Sequence, residues 1–242
     1  MPEERPRDFV EDTILRHCGP IYIIPSLQEA GAILFNASFG LIDTGQRKLL
    51  ITCHHVWEFF QNLRQQYPLA EVAVNLGSGP GSVISDAEVI GTDPDLDIAI
   101  LDPKFQAHEL GPLAYFKVPK WPISKISRGE IICFAGFPEC GRSSSDQWGA
   151  FGSSYFGLRV GTVSETKAIL LNDDEDSSGL IGRYGESLPA EKLSGVSGSP
   201  AFRLSPVGLA FAGIVCQGST SDAWIFLTHA SFLKPDGTLS RQ

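Results

Sequence analysis

The sequence predicts an all-β fold, either a sandwich or a barrel, with few helices. Short apolar runs rich in Val, Ile, Phe and Leu alternate with turn residues, and helical periodicity is scarce. The 242 residues include 25 Gly and 16 Pro, which recur at short intervals and end each run early. We predict strands near residues 20–26, 31–36, 48–53, 71–75, 84–91, 97–102, 130–136, 155–164, 167–171, 199–204, 208–217 and 223–228.

Helical patterns are short and occur in three places. Residues 7–17 and 55–64 each predict a helix, and residues 228–234 predict a brief last one. Between the two sets of strands, the proline-rich segment 103–128 predicts a connector that crosses the surface. The length suits either one large β domain or two units of about 100 residues that share a cleft.

Composition excludes several classes of function. The chain is 43% hydrophobic and 19% charged, which is typical of a packed globular protein. Its net charge of −9 argues against nucleic acid or an anionic membrane as a partner, since both are bound by clustered Lys and Arg. No run of about 18 apolar residues predicts a transmembrane helix, and the charged first residues lack the apolar core of a secretory signal.

The cysteines favour a reducing compartment. There are five, an odd number, and three lie in apolar runs such as IICFAG and GIVCQG, which is typical of buried thiols. Cys133 and Cys140 are seven positions apart, and no second Cys or His pair has the spacing of metal ligands. We therefore expect a cytoplasmic protein with no metal site and no cofactor.

Two segments of the first half carry candidate reactive side chains. In ITCHHV, two adjacent histidines, His54 and His55, stand where an apolar strand meets a helix. In DPDLDIAIL, Asp97 lies between apolar residues, and a carboxylate that enters a core must find a partner or lose its charge. Each has an ordinary alternative, a structural histidine or a buried turn cap.

A third segment, GVSGSP, lies in the second half and contains Ser197. Glycines on both sides of a serine permit unusual backbone angles and let main-chain N–H groups point into a cavity. By itself such a segment is usually only a loop. The order His55, Asp97, Ser197, however, is that of chymotrypsin-type peptidases and differs from the subtilisin and α/β-hydrolase orders.

The sequence therefore resembles the trypsin/chymotrypsin-like serine peptidase family. It is most similar to the compact bacterial branch that includes the high-temperature-requirement proteases. The resemblance covers roughly residues 20–235, and the segments GEIICFAGFP and AGIVCQG add to it. It implies two Greek-key β-barrels of the chymotrypsin type with the active site in the cleft between them, and short N- and C-terminal helices. The units it implies are an N-terminal extension (1–19), a first barrel (20–110), a connector (111–128) and a second barrel with a terminal helix (129–242).

The resemblance implies a serine endopeptidase that hydrolyses peptide bonds through a Ser-His-Asp triad and an acyl-enzyme. The family's Thr-x-x-His pattern selects His55 rather than His54 as the base. Asp-Ile-Ala selects Asp97 as the orienting acid, and Gly-x-Ser-Gly-Ser-Pro selects Ser197 as the nucleophile. The backbone N–H groups of Gly195 and Ser197 match the family's oxyanion hole.

The resemblance also implies how a protein or peptide substrate binds. An extended peptide would add as an antiparallel strand along Cys216, Gln217 and Gly218, where Gln217 replaces the Trp of digestive relatives. Glu191, six residues before the nucleophile, matches the base of the primary pocket. An acid there would favour a basic substrate residue, although the adjacent Lys192 could neutralise it.

Some residues depart from the family pattern. Cys53 and His54 replace small residues, so we expect different packing behind the base. Val196 replaces the Asp of secreted relatives, and no Ile-Val-Gly-Gly-like start is present. We therefore predict no trypsin-style zymogen cleavage, and activity that is constitutive or switched by an activating partner protein. The acidic run 173–176 matches only part of a calcium loop and is interpreted as a solvated loop.

Two other functions are compatible with the same fold. One is a pseudoprotease, a catalytically silent binding module that has kept the fold and lost turnover. The other is an esterase-like hydrolase, against which the predicted peptide-pairing strand argues.

Overall fold

The computed structural model describes residues 6–26, 33–77, 81–139, 142–143, 150–151, 154–171, 194–205, 208–218 and 224–241. In these ranges the chain forms helices α1 (Pro6–Leu15) and α2 (His54–Gln66) and a 3-10 helix (Ala230–Phe232). The first eight strands are β1 (Cys18–Ile24), β2 (Phe35–Asp43), β3 (Lys48–Thr52), β4 (Glu71–Val74), β5 (Ser82–Val83), β6 (Glu88–Asp93), β7 (Ile98–Asp102) and β8 (Phe116–Lys117). They are followed by β9 (Ile131–Gly136), β10 (Arg142–Ser143), β11 (Ala150–Phe151), β12 (Ser154–Val163), β13 (Lys167–Leu171), β14 (Pro200–Ser205), β15 (Gly208–Gly218) and β16 (Trp224–His229).

The first eight strands make one curled sheet in the order β5-β4-β1-β2-β3-β7-β6, and β8 pairs with β2. The neighbours in this order are antiparallel, whereas β8 runs parallel to β2. All seven residues of β1 are buried, so this strand has core on both faces. The sheet therefore curls around apolar side chains and does not leave one whole face exposed to solvent.

The second half of the chain forms a closed six-stranded barrel in the order β12-β13-β16-β15-β14-β9. Closure leaves no free strand edge, which satisfies the backbone groups around the whole ring. The barrel interior is filled by side chains that are nearly inaccessible to solvent, among them Ile132, Phe134, Val160, Leu170, Val215 and Leu227. Strands β10 and β11 form a separate two-stranded sheet.

One hydrophobic cluster joins the curled sheet to the closed barrel. It contains Leu41 and Ile100 from the first sheet together with Phe202 and Phe211 from the barrel. Helix α1 contacts both β1 and β9, and its Ile14 is fully buried in the same cluster. The two units are thus packed against each other through apolar side chains.

Strand β2 extends further than the sequence predicts. Its residues beyond the predicted strand 31–36 include Ser38, which like Asn36 interrupts the apolar pattern. Both polar side chains are nevertheless buried, because Asn36 Nδ2 donates to the Phe137 carbonyl at 3.1 Å and Ser38 Oγ donates to the Gly195 carbonyl at 2.8 Å. Partners from the distant half of the chain make a polar strand interior possible.

Three other elements differ from the sequence prediction. The strand predicted at 84–91 begins only at Glu88, because residues 84–87 form a turn closed by the Ala87 N–H and the Ile84 carbonyl. The predicted connector contains β8, whose Phe116 is buried. The last helix is a single 3-10 turn.

Residues 18 and 19, which the sequence analysis assigns to the N-terminal extension, lie in β1.

Within the described ranges, neither α-helix has the length and apolar character that a membrane span requires.

Candidate active site

His55 is positioned by the junction between β3 and α2. The apolar strand ends at Thr52, and the helix begins at His54, so His55 lies in its first turn. Its side chain is 43% exposed. This junction therefore fixes the backbone of the histidine while one edge of the imidazole stays open to solvent.

Asp97 is positioned by the tight turn between β6 and β7. Asp93 Oδ1 organises this turn by accepting hydrogen bonds from the N–H groups of Asp95 at 2.9 Å and Leu96 at 3.0 Å. Asp97 itself has φ +56°, a left-handed conformation that non-glycine residues seldom adopt. The cost of that conformation is offset by contacts that hold the turn from outside, described below.

The carboxylate of Asp97 binds His55 at two places. Its oxygens lie 2.8 Å and 3.1 Å from His55 Nδ1, and Oδ1 also accepts the backbone N–H of His55 at 2.9 Å. The Asp97 side chain is only 17% exposed, so the contact is largely shielded from water. A carboxylate at Nδ1 favours the tautomer with its proton on that nitrogen, which leaves Nε2 as a hydrogen-bond acceptor.

Ser197 is held in a glycine-bracketed turn that crosses between the two units. Gly195 and Gly198 have φ +98° and +92°. A Cβ at Gly198 would lie 2.0 Å from the Ser38 carbonyl oxygen, so only glycine fits the space as well as the angle. The Ser38 N–H donates to the Ser197 carbonyl at 2.8 Å, which ties the turn to β2 of the first sheet.

A chain of contacts through Cys216 and Cys53 links the Ser197 hydroxyl to the histidine–aspartate pair. Its Oγ donates to the Cys216 carbonyl at 3.4 Å, and the same carbonyl lies 3.9 Å from Cys53 Sγ. The ligand atoms of Cys53, His55 and Asp97 lie within 4.8 Å of one another. Among the described residues the structure has no hydrogen bond between Ser197 Oγ and His55, and catalytic hydrogen bonds are often long or misaligned without substrate.

Two backbone N–H groups beside Ser197 have no acceptor among the described residues. The Ser194 carbonyl accepts the Glu139 N–H at 2.6 Å, and the Val196 carbonyl accepts the Ser199 N–H at 3.0 Å. The C=O and N–H groups of a trans peptide point in opposite directions. The N–H groups of Gly195 and Ser197 therefore point away from the Glu139 and Ser199 N–H groups that bind the two carbonyls. Neither N–H donates to another acceptor in the described part of the chain.

Cys53, His55 and Asp97 form the group of potential metal ligands found among the described residues. The Cys53 thiol is fully buried and donates to the Val215 carbonyl at 3.2 Å. Burial first, and the nearby Asp97 charge second, raise its pKa well above the ordinary value. A neutral, hydrogen-bonded thiol is a poor starting point for a metal ligand.

The predicted substrate strand is part of β15. Cys216 is buried, and Gln217 and Gly218 pair with Phe226 and Ile225 of β16, next to an irregularity in the register. Glu191 and the acidic run 173–176 lie outside the described residues.

Several residues at this site have no local sequence signal. Ser38 lies beneath the serine turn, and Thr228 Oγ1 donates to the Leu96 carbonyl at 2.6 Å beside Asp97. The Thr228–Leu96 contact joins residues 132 positions apart, so no local pattern could reveal it.

Comparison with known proteins finds similarity in structure and none in sequence. No protein-family model matches the chain, and no curated protein matches it. Among solved structures, the chain is similar to the thermostable serine protease AL20 from an extremophilic microorganism, with a TM-score of 0.52 and 12% identity over 88% of this chain and 91% of that one. At this identity the likeness shows the fold alone. The predicted fold class is thereby confirmed: the closed barrel and the curled half-barrel sheet form the chymotrypsin-like two-barrel fold of serine proteases.

Proposed function

We propose that this protein is a serine endopeptidase in which Ser197 is the nucleophile, His55 the general base and Asp97 the residue that orients the base. The observation that carries the proposal is the double contact of Asp97 with the ring and the backbone N–H of His55. This contact leaves Nε2 available to act as the base, and the proposal takes the Ser197 hydroxyl as its proton donor. We further propose that the protein belongs to the compact bacterial branch named above.

The proposed reaction is acyl transfer in two steps. Ser197 Oγ attacks the peptide carbonyl carbon while its proton passes to His55 Nε2. The carbonyl oxygen becomes an oxyanion, which the N–H groups of Gly195 and Ser197 stabilise. When the C–N bond breaks, His55 returns the proton to the leaving amine. A water then repeats the sequence on the acyl-enzyme and releases the acid.

We propose that the substrate is a protein or peptide bound in extended form along Cys216, Gln217 and Gly218. Strand addition supplies main-chain hydrogen bonds with little dependence on sequence, so a side-chain pocket must supply preference. Glu191 is our candidate for that pocket, with a preference for Lys or Arg before the cut. A cleavage profile on a peptide library that contains only apolar or small residues at that position would contradict the role of Glu191.

A fluorophosphonate probe tests the nucleophile directly, because it reacts only with an activated serine. We expect labelling of the wild type at Ser197 and none of Ser197→Ala or His55→Ala. His54→Ala and Ser164→Ala are matched controls, since His54 bonds Thr92 and Ser164 lies in the β12–β13 turn. Both controls should label like the wild type and cleave casein at the wild-type rate.

A binding module is the second candidate, and one observation favours it. The Ser197 hydroxyl is hydrogen-bonded to the Cys216 carbonyl rather than to His55, as it would be in a silent relative. Absence of labelling in the folded wild type would support this function. Labelling without peptide cleavage would instead support an esterase-like hydrolase.

We propose that the enzyme works in a reducing compartment, the cytoplasm, without proteolytic activation. Cys18, Cys53 and Cys216 are buried free thiols, which suits a reducing compartment. Val196 is 1% exposed within the barrel core, where an aspartate awaiting a new N-terminus would have no partner. Activity that appears only after trimming of the N-terminus would contradict this; dependence on a partner protein would not.

A further inference from the structure

The segment after the 3-10 helix crosses from the closed barrel to the first sheet. Residues 233–241, here called the C-terminal hairpin, are closed by a bridge between Leu233 and Leu239 and by the Ser240 N–H, which donates to the Phe232 carbonyl at 2.9 Å. The Thr44 hydroxyl donates to the Pro235 carbonyl at 2.5 Å. The hairpin is therefore anchored on both units of the fold.

Arg241, at the end of this hairpin, binds the turn that carries Asp97. Its Nε donates to Asp93 Oδ2 at 2.8 Å, and its Nη2 contacts both Asp93 Oδ1 and, at 2.8 Å, Asp95 Oδ2. The Asp93 side chain is only 14% exposed, whereas that of Arg241 is half exposed, so the contact is shielded on the carboxylate side alone. A planar guanidinium that grips one carboxylate with two nitrogens also fixes its orientation.

Asp93 connects Arg241 to the candidate catalytic pair. The carboxylate that binds Arg241 also accepts the N–H groups of Asp95 and Leu96, which shape the turn. Burial alone would raise the pKa of Asp93, but the hydrogen bonds from Arg241 and from Leu96 outweigh it and hold the pKa below its ordinary value. Asp93 is thus a carboxylate, and Asp97 follows directly after Leu96 in a left-handed conformation.

We infer that Arg241 is a positioning residue: its guanidinium holds the Asp93–Leu96 turn in the conformation that presents Asp97 to His55. This inference rests on the proposed function of His55 and Asp97. Arg241 bonds to neither of them, so its effect passes through the turn. Thr228 holds the same turn at the Leu96 carbonyl, and loss of Arg241 should therefore weaken the arrangement rather than abolish it.

Arg241→Gln tests the inference, because glutamine keeps a polar side chain and removes the charge. We expect kcat on a peptide substrate, and the rate of fluorophosphonate labelling, to fall about tenfold, since small displacements of catalytic groups cost up to about a hundredfold. KM should stay within about twofold, because the contacts of Arg241 are to Asp93 and Asp95 and its loss should act on the turn that carries Asp97. Arg241→Lys should recover part of the loss, because lysine restores the positive charge but cannot bind the carboxylate through two nitrogens at once.

Arg64→Gln is the matched control, since Arg64 is similarly exposed and pairs with Asp86 at 3.9 Å on the surface. It should leave kcat unchanged. Asp93→Asn keeps an oxygen for the turn and removes the charge, so it should cost as much as Arg241→Gln. The double variant should then be no slower than either single variant, because both changes remove the same contact, the one between Arg241 and Asp93.

A readout without substrate separates this inference from the proposed function. The proton between His55 Nδ1 and Asp97 should give a downfield resonance in proton NMR, which we expect to shift or broaden in Arg241→Gln and not in Arg64→Gln. If the wild type neither labels nor cleaves peptides, the proposed function fails while this resonance still tests the positioning role. A resonance and kcat that are both unchanged in Arg241→Gln, a loss confined to KM, or additive losses in the double variant would overturn the inference.

Discussion

The residue behind the candidate base is a cysteine, and its surroundings decide its chemistry. Cys53 is enclosed by the Val215 carbonyl on one side and the Asp97 carboxylate on the other. Because its pKa is raised, the thiol stays protonated and donates a hydrogen bond to the second unit. Cys53 thus joins the two units at the site without supplying a rival nucleophile.

The first prediction concerns this thiol. Iodoacetamide at neutral pH should leave Cys53 unmodified in the folded protein, because alkylation needs an accessible thiolate. Fluorophosphonate labelling of Ser197 should be unchanged by the treatment. Peptide mapping by mass spectrometry checks the first point, and the same treatment in urea should alkylate Cys53. An adduct at Cys53 in the folded protein would contradict the prediction.

Gly198 gives a second prediction at this scale. In Gly198→Ala the new methyl group would meet the Ser38 carbonyl, so the serine turn must move. We expect a loss of labelling of at least about tenfold and destabilisation of about 2–3 kcal/mol, combining the strain of a positive φ with the clash. Gly129→Ala is the matched control, with φ +83° and nothing within 4 Å of the new Cβ. It should cost about 1 kcal/mol in urea unfolding and label normally.

At the scale of elements, β2 shows what a sequence can and cannot predict. Local periodicity locates α2, β3 and β7, and with them His55 and the Asp97 turn, because each pattern is complete within a few residues. Local periodicity cannot predict the full length of β2, because its polar residues Asn36 and Ser38 are buried against hydrogen-bond partners about 100 or more positions away. The contacts of Thr228 with Leu96 and of Arg241 with Asp93 also join distant parts of the chain, so local periodicity cannot reveal them.

A third prediction belongs to the contact between β2 and the serine turn. Ser38 is fully buried; its hydroxyl donates to the Gly195 carbonyl and accepts the Phe137 N–H at 3.1 Å. Ser38→Ala leaves both backbone groups unsatisfied, so we expect destabilisation of about 2–3 kcal/mol and slower labelling of Ser197. Ser205→Ala is the control for urea unfolding: the Ser205 hydroxyl, at the end of β14, makes an exposed hydrogen bond to the Gly208 carbonyl, and its loss should change stability by less than about 0.5 kcal/mol. Wild-type stability in Ser38→Ala would argue against this contact.

At the scale of the whole molecule, the fully buried His229 and the partly buried His17 make stability depend on pH. Burial, followed by the Lys125 and Arg203 charges, lowers the pKa of His229 and outweighs the opposing hydrogen bonds, among them the one between Nε2 and the Ser164 carbonyl at 3.3 Å. Burial also lowers the pKa of His17. Just below the unfolded pKa, these two histidines therefore bind protons in the unfolded chain but remain neutral in the folded chain.

The fourth prediction follows from that difference. The free energy of unfolding should be independent of these histidines above about pH 6.5, their unfolded value, and should fall as the pH drops below it. Each histidine contributes a slope of at most about 1.4 kcal/mol per pH unit. His229→Gln should reduce the slope measured by urea unfolding, whatever its effect on absolute stability, and exposed His108→Gln should not. An unchanged slope in His229→Gln would contradict the prediction.

The shared hydrophobic cluster limits how the molecule can adapt to a ligand. Leu41 and Ile100 of the sheet pack in the same interior as Phe202 and Phe211 of the barrel, while α1 and the C-terminal hairpin fasten the two units at other places. Moving the two units apart would expose this apolar interior to water, at a free-energy cost of about 25 cal/mol for each Å² of apolar surface. Hinge-bending is thereby disfavoured, so the two units should keep a nearly constant separation when a ligand binds.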